Sequence, residues 1–322
     1  MKKNIALIGA GYWGKNHLKN LHRLNVLHSV LELNDEIVRV RQAEFPDVAF
    51  IKEDSSILNN PEIRGVVISA PAVLHYKLSK KYMEAGKDVL VEKPLALTAA
   101  QGRELLDIAE REKRVLMVGH ILQYHSAVIR LKEVIDSGEL GEIRYIYSNR
   151  LNIGKLRAEE NVLWSFAPHD ISLILMLLNG VPPVHVDAYG GAYVKPGIYD
   201  TTLTTLDFGN GVKAHIFVSW LHPFKEQKLV VVGSRKMAVF DDVAEKKLLI
   251  YPHKIDLING EIPVALKAES YPVEFEQKEP LKEELLHFMD CIETRKTPKT
   301  DGIEGLRVLE ILEQAEKALS RK

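Results

Sequence analysis

The string Gly9-Ala10-Gly11-Tyr12-Trp13-Gly14 lies directly behind a short apolar run at residues 5–8 and opens a helical stretch over residues 12–24. A G-x-G-x-x-G string alone carries little weight, but between a buried strand and a helix it prescribes a βαβ unit. Gly9 permits the tight turn, Gly11 lets a pyrophosphate approach the backbone, and Gly14 lets helix and strand pack closely. The amides of the first helical turn, around Tyr12 and Trp13, then face the phosphates. Glu32 ends the next strand, about 20 residues beyond the loop, where an acid is expected to accept from a ribose 2′-hydroxyl. Its charge disfavours the 2′-phosphate of NADP, and Leu33-Asn34 bring no cation, so NAD is expected in preference to NADP. Arg39 and Arg41 sit further along the following helix.

Strand and helix keep alternating as far as His120. Runs at residues 65–69, 88–91 and 115–118 are rich in β-branched residues, and helical stretches at 75–85 and 99–113 separate them. Such alternation means right-handed crossovers and a doubly wound parallel Rossmann sheet. Beyond residue 120 a helix (126–137), a strand (143–151) and a helix starting at Pro168 lead into successive strands between residues 185 and 240. Val212, Ala214, Ile216 and Val218 alternate with Lys213, His215, Phe217 and Ser219, the pattern of a sheet with unlike faces. Two helices close the 322-residue chain. The expectation is α/β: an NAD-binding Rossmann domain over 1–120, then an α+β domain over 121–322. The second carries a mostly antiparallel open sheet and serves substrate binding and oligomerisation, with the last helix placed to pack back on the first.

Composition narrows the partners. Lys and Arg total 43 against 44 Asp and Glu, too even for broad binding to nucleic acid or anionic membrane. Cys291 is the single cysteine, so there is no intrachain disulfide and no cysteine-based zinc site; no metal is expected. No apolar run approaches the ~20 residues of a bilayer span, and a cytoplasmic location is expected.

Val89-Leu90-Val91-Glu92-Lys93-Pro94 puts a lysine just past a buried parallel strand, where open α/β sheets form their ligand crevice. Pro94 confines Lys93 to an extended backbone. A lysine beside a cationic nicotinamide is expected to give up its proton more readily, which suits proton exchange with an alcohol. Gly9-x-Gly11-x-x-Gly14, Ala70-Pro71-x-x-x-His75, Ala85-Gly86-Lys87-x-Val89 and Glu92-Lys93-Pro94, in that order, resemble the Gfo/Idh/MocA family of NAD(P)-dependent sugar oxidoreductases. The resemblance covers the whole chain. It implies that Ala70, Pro71, His75 and Glu92 join the cofactor contacts, that Lys93 touches both nicotinamide and substrate, and that the peptide before Pro94 is often cis.

Trp164-Ser165-Phe166-Ala167-Pro168-His169-Asp170 is the best catalytic candidate after residue 120. Pro168 suits the first position of a helix. That would place His169 in a first turn whose dipole disfavours imidazolium, leaving a neutral ring able to take a proton. The family places an acid four residues before its catalytic histidine, and Ser165 stands there instead. Lys93 and His169 therefore both stay candidates for the principal base, and Asp170 for capping the helix or orienting a neighbour.

Arg150, Lys155 and Arg157, with Arg144 before them, form a local cationic cluster that suits a diphosphate; Glu159 and Glu160 could equally balance it as a solvated loop. The segments running from Tyr147 to Asp170 and from Val218 to Lys228 look like the family branch acting on UDP-N-acetylhexosamines. The expected activity is NAD-dependent oxidation of the sugar 3-hydroxyl, with UDP-N-acetylglucosamine first, to a ketone that a PLP aminotransferase converts to an amino sugar. Lys93 and His169 would handle the hydroxyl proton, while Tyr124, Trp164 and Trp220 could stack on sugar or uracil. The alternatives are the 6-carboxylate of that sugar nucleotide, a free sugar or cyclitol, and a non-catalytic NAD-binding regulator. The uncovered face of the second sheet is a natural surface for a homodimer or homotetramer.

Overall fold

The computed structural model describes residues 3–154, 156–157 and 160–321. The chain divides into two units that are not continuous in sequence: Met1–Tyr124 with Glu279–Glu310, and His125–Lys278 with Ile311–Lys322.

In the first unit, β1 (Ile5–Ile8), β2 (Leu27–Leu31), β3 (Ala49–Ile51), β4 (Gly65–Ile68), β5 (Asp88–Glu92) and β6 (Leu116–Gly119) form one parallel sheet in the order β3-β2-β1-β4-β5-β6. The intervening helices are α1 (Gly14–Arg23), α2 (Asp35–Glu44), α3 (Ser55–Leu58), α4 (His75–Glu84) and α5 (Ala99–Arg111). The chain steps outward from β1 to β3, then crosses back to β4, so the order reverses between β1 and β4. That switch point opens a crevice at the carboxyl ends of the strands, where Gly9, Ser69 and Lys93 emerge.

The second unit begins with α6 (Ser126–Asp136), β7 (Ile143–Leu151), α7 (Val162–Leu177), β8 (His185–Gly191), β9 (Thr201–Asp207) and β10 (Lys213–Ser219). It continues through β11 (Glu226–Gly233), β12 (Met237–Asp241), β13 (Leu248–Tyr251), β14 (Lys254–Ile258), β15 (Ile262–Leu266) and β16 (Tyr271–Pro272). Eight strands build a sheet in the order β16-β13-β12-β11-β7-β10-β9-β8, while β14 and β15 form a separate hairpin. Every pairing in the large sheet is antiparallel except β7 with β10. The alternation along β10 divides as its sequence indicates: Ala214, Ile216 and Val218 are buried, whereas His215 and Phe217 are only half-buried.

The chain closes with α8 (Pro280–Thr294) and α9 (Gly302–Leu319). Leu281, Leu285, Phe288, Cys291 and Ile292 of α8 share one core with Ile5, Leu7, Val30, Val67 and Leu90 of the parallel sheet. Thus α8 completes the first unit, and α9 starts in the first unit and ends in the second. No described helix is long and apolar enough to cross a membrane.

The helix expected to start at Pro168 starts earlier. Asn161 is its N-cap, accepting from the Trp164 amide at 3.3 Å, and this fixes the start at Val162. Pro168 lies inside α7, and His169 is well beyond the first turn, so the dipole argument for a neutral ring does not apply to it.

Candidate active site

The glycine loop divides its three glycines by task. Gly9 has φ +90°, and a Cβ there would stand 2.7 Å from the Ser69 carbonyl oxygen. A Cβ on Gly14 would meet the Gly9 carbonyl oxygen at 2.2 Å, whereas one on Gly11 would meet nothing within 4 Å. Gly9 and Gly14 are therefore small because the backbone is crowded there; Gly11 borders open space. No described side chain caps the amides at the start of α1, which leaves them facing that space. These features fit a dinucleotide pyrophosphate. Tyr12 is highly exposed beside them.

Glu32 sits at the end of β2 with both oxygens fixed. Oε2 accepts from the Ala10 amide at 2.8 Å and Oε1 from the Asn34 amide at 2.9 Å. Each oxygen keeps a further acceptor site for a ribose hydroxyl. Arg41 of α2 reaches back to the Ala10 carbonyl at 3.4 Å, and its Nη1 donates to Glu44 at 2.9 Å.

Glu92, next to Lys93, centres a partly buried network. Oε1 of Glu92 accepts from Trp13 Nε1 and pairs with His17 Nε2 at 2.7 Å, and Oε2 accepts from the Lys93 amide at 3.3 Å. Burial pushes the Glu92 carboxyl up, but His17, the Lys93 charge and Trp13 outweigh it and hold the group below its usual range. His75, itself buried, links two strand ends: Nδ1 meets the Pro94 carbonyl at 2.7 Å and Nε2 the Ala70 carbonyl at 2.9 Å. The Lys93–Pro94 peptide is cis, and Lys93 is half-buried. His17 was not among the expected site residues, although Trp13 and His17, four apart, fall on one helix face.

Glu284 of α8 is fully buried, and neither carboxyl oxygen has a hydrogen-bond partner among the described residues. Burial, with the Glu92 charge second, pushes it well above the usual carboxylate range. A raised folded value means the native state binds the proton more tightly. The associated stability is complete below the unfolded value of about 4.3 and is lost as pH rises through the raised one. Glu284→Gln should abolish that loss, so the melting-temperature difference between variant and wild type should grow with pH above about 4.3. A difference independent of pH would show that Glu284 does not titrate this way.

Tyr124 belongs to the core of the first unit, its hydroxyl 3.3 Å from Thr300 Oγ1 and the Lys299 ammonium 5.0 Å from its ring centroid. Burial pushes its phenol up.

In the second unit His169 is half-buried on α7, one turn beyond the buried Ser165. Its neighbour Asp170 is buried and takes a bidentate pair from Arg150 of β7, Nε to Oδ2 at 2.7 Å and Nη2 to Oδ1 at 3.1 Å. Ser148 Oγ adds a third bond to Oδ1 at 2.6 Å. The expected cationic cluster therefore separates: Arg150 ties α7 to the sheet, and Arg157, half-exposed, pairs with Glu160 at 2.7 Å. Lys155 lies outside the described residues. Trp164 donates from Nε1 to Glu316 at 3.0 Å, and Asn161 Nδ2 reaches the same carboxylate at 2.9 Å. Removing one partner of a buried ion pair strands the other charge, so Arg150→Met should cost about 3–5 kcal/mol. Arg150→Met with Asp170→Asn should recover part of that loss in denaturant unfolding.

Residues 3–120 match the family described as an oxidoreductase family with an NAD-binding Rossmann fold, and residues 128–239 match the GFO/IDH/MocA C-terminal domain. The solved UDP-N-acetylglucosamine 3-dehydrogenase GnnA of Acidithiobacillus ferrooxidans superposes with a TM-score of 0.85 at 25% identity, covering 98% of this chain and 97% of that one. By sequence the enzyme of that name and organism is 29% identical over 235 residues, 73% of this chain and 70% of the relative. The uncharacterized oxidoreductase YrbE of Bacillus subtilis is 26% identical over 316 residues, 92% of this chain and 89% of its own. An inositol 2-dehydrogenase of Salmonella typhimurium is 25% identical over 186 residues, 56% of this chain and 55% of its own.

Proposed function

Because the chain belongs to the Gfo/Idh/MocA family of NAD-binding oxidoreductases, we propose that it oxidises the 3-hydroxyl of a UDP-N-acetylhexosamine, UDP-N-acetylglucosamine first, to the 3-keto sugar nucleotide. The carrying observation is the likeness to the UDP-N-acetylglucosamine 3-dehydrogenase, which extends through both units. Bound at the glycine loop, NAD would supply the hydride acceptor for the sugar carbon. The first-turn amides of α1, Gly11 and Glu32 would hold it, with Tyr12, Trp13, Ala70, Pro71, His75 and Glu92 around it. Lys93 and His169 are the groups assigned to the hydroxyl proton, which must leave as the C–H electron pair departs. Lys155 and Arg157 are assigned to the diphosphate, since Arg150 is buried in its pair with Asp170 whereas the Arg157–Glu160 pair is open to solvent and can exchange its partner. The product, a ketone, is a substrate for a PLP aminotransferase.

The half-buried aromatic face of the large sheet supports self-association as a homodimer or homotetramer. Tyr147 stacks on His215 with centroids 5.4 Å apart, and Tyr145 packs beside both.

The test is cofactor reduction with UDP-N-acetylglucosamine, its 6-carboxylate, UDP-glucose, glucose and inositol, each with and without an aminotransferase and glutamate. The coupling draws forward an oxidation that is uphill near neutral pH. Turnover confined to inositol or glucose would replace the sugar nucleotide by a free polyol.

A further inference from the structure

A pocket of about 210 Å³ in the second unit is lined by Leu156, Arg157, Val194, Lys195, Ile198, Asp200 and Trp220. Two of these residues carry buried polar atoms with no hydrogen-bond partner among the described residues, Asp200 Oδ1 and Trp220 Nε1. One can only accept and the other can only donate. The rest of Asp200 is engaged: Oδ2 accepts from the Tyr193 and Val194 amides at 2.8 Å each, and its carbonyl accepts from the Trp220 amide at 2.9 Å. These bonds hold the carboxylate and join the main chains of the two residues, while leaving one acceptor and one donor over. Each unmade bond to a buried group costs about 1–3 kcal/mol, so a bound group that satisfies both gains from a cost already present. Two cations, Arg157 and the exposed Lys195, stand at the same pocket.

We propose that this pocket recognises a planar amide, whose N–H is taken by Asp200 and whose C=O by Trp220. The assignment rests on the sugar-nucleotide reading above and deepens it. A UDP-N-acetylhexosamine carries such a group twice, as the acetamido arm four bonds from the diphosphate and as the uracil imide one ribose away from it, and Arg157 and Lys195 would attract that diphosphate. Leu156, Val194 and Ile198 give the pocket an apolar lining suited to a flat group. Its volume, below the roughly 300 Å³ at which whole-ligand sites begin, suits one end of the ligand rather than all of it.

Trp220→Phe removes the donor and keeps an aromatic ring; Asp200→Asn removes the charge and keeps one acceptor. Calorimetric titration of each full-length variant with UDP-N-acetylglucosamine should show affinity reduced about fivefold for Trp220→Phe and about tenfold or more for Asp200→Asn. NAD affinity should not change. UDP-glucose separates the sources: an equal loss with it assigns the pocket to uracil, and no loss with it assigns the pocket to the acetamido arm. Unchanged affinity for UDP-N-acetylglucosamine in a folded Trp220→Phe protein overturns the proposal. Wild-type protein that binds no UDP-sugar at all overturns the sugar-nucleotide reading instead, and the pocket assignment with it.

Discussion

Lys93→Met is expected to lower kcat about a thousandfold, in the range of a lost general acid or base, while the dissociation constant for NAD stays within about twofold. The substitution keeps an unbranched apolar stem of similar length and removes only the ammonium. The backbone at this position is held independently of the side chain, by the Glu92 carboxylate on the Lys93 amide and by His75 on the Pro94 carbonyl. The glycine loop and Glu32 are likewise untouched. A fall in kcat with unchanged KM would place the ammonium in the chemical step rather than in substrate binding. Near-normal turnover would remove Lys93 from proton transfer and leave His169 as the remaining candidate.

Gly11→Ala and Gly14→Ala should fail in opposite ways. The Gly14 Cβ would stand 2.2 Å from a backbone carbonyl oxygen, which cannot rotate aside as a side chain could. Separating helix from strand should cost about 3 kcal/mol, or roughly 6–12 °C in melting temperature for a unit of this size. The Gly11 Cβ meets nothing within 4 Å, so Gly11→Ala should melt with the wild type. Its methyl would instead occupy the space assigned to the pyrophosphate, and NAD affinity should fall about a hundredfold, close to 2.7 kcal/mol. Thermal unfolding and NAD titration of both variants check the pair. Gly11→Ala protein that binds NAD as tightly as wild type would mean the pyrophosphate lies elsewhere.

The parallel sheet was legible because its local signals agree: buried runs, helical stretches between them, and glycines where the turn needs them. Short elements such as β3 and α3 were missed, since three or four residues carry no periodicity. The start of α7 was misread because proline favours a first turn, and here the Asn161 cap prevailed. Arg150 shows a different limit. Its charge suggests solvent and phosphate, yet its place on β7 opposite Asp170 buries it in an ion pair, a relation that a separation of 20 positions conceals. The pairing of Glu92 with the buried His17 is hidden for the same reason, the two being 75 residues apart. Local chemistry can be read from local sequence, whereas pairings across the fold depend on which faces the topology brings together.

The return of α8 to the first unit bears on how the chain is made. About 150 residues separate Tyr124 from Glu279, and at roughly 5–20 residues per second a ribosome takes some 8–30 seconds to cross them. Throughout that interval Ile5, Leu7, Val67 and Leu90 have emerged, while the Leu285, Phe288 and Ile292 side chains that share their core have not been synthesised. The nascent parallel sheet must wait with part of one apolar face open, a natural binding surface for chaperones, and the unit whose strands are translated first cannot close its core until nearly the whole chain has been made.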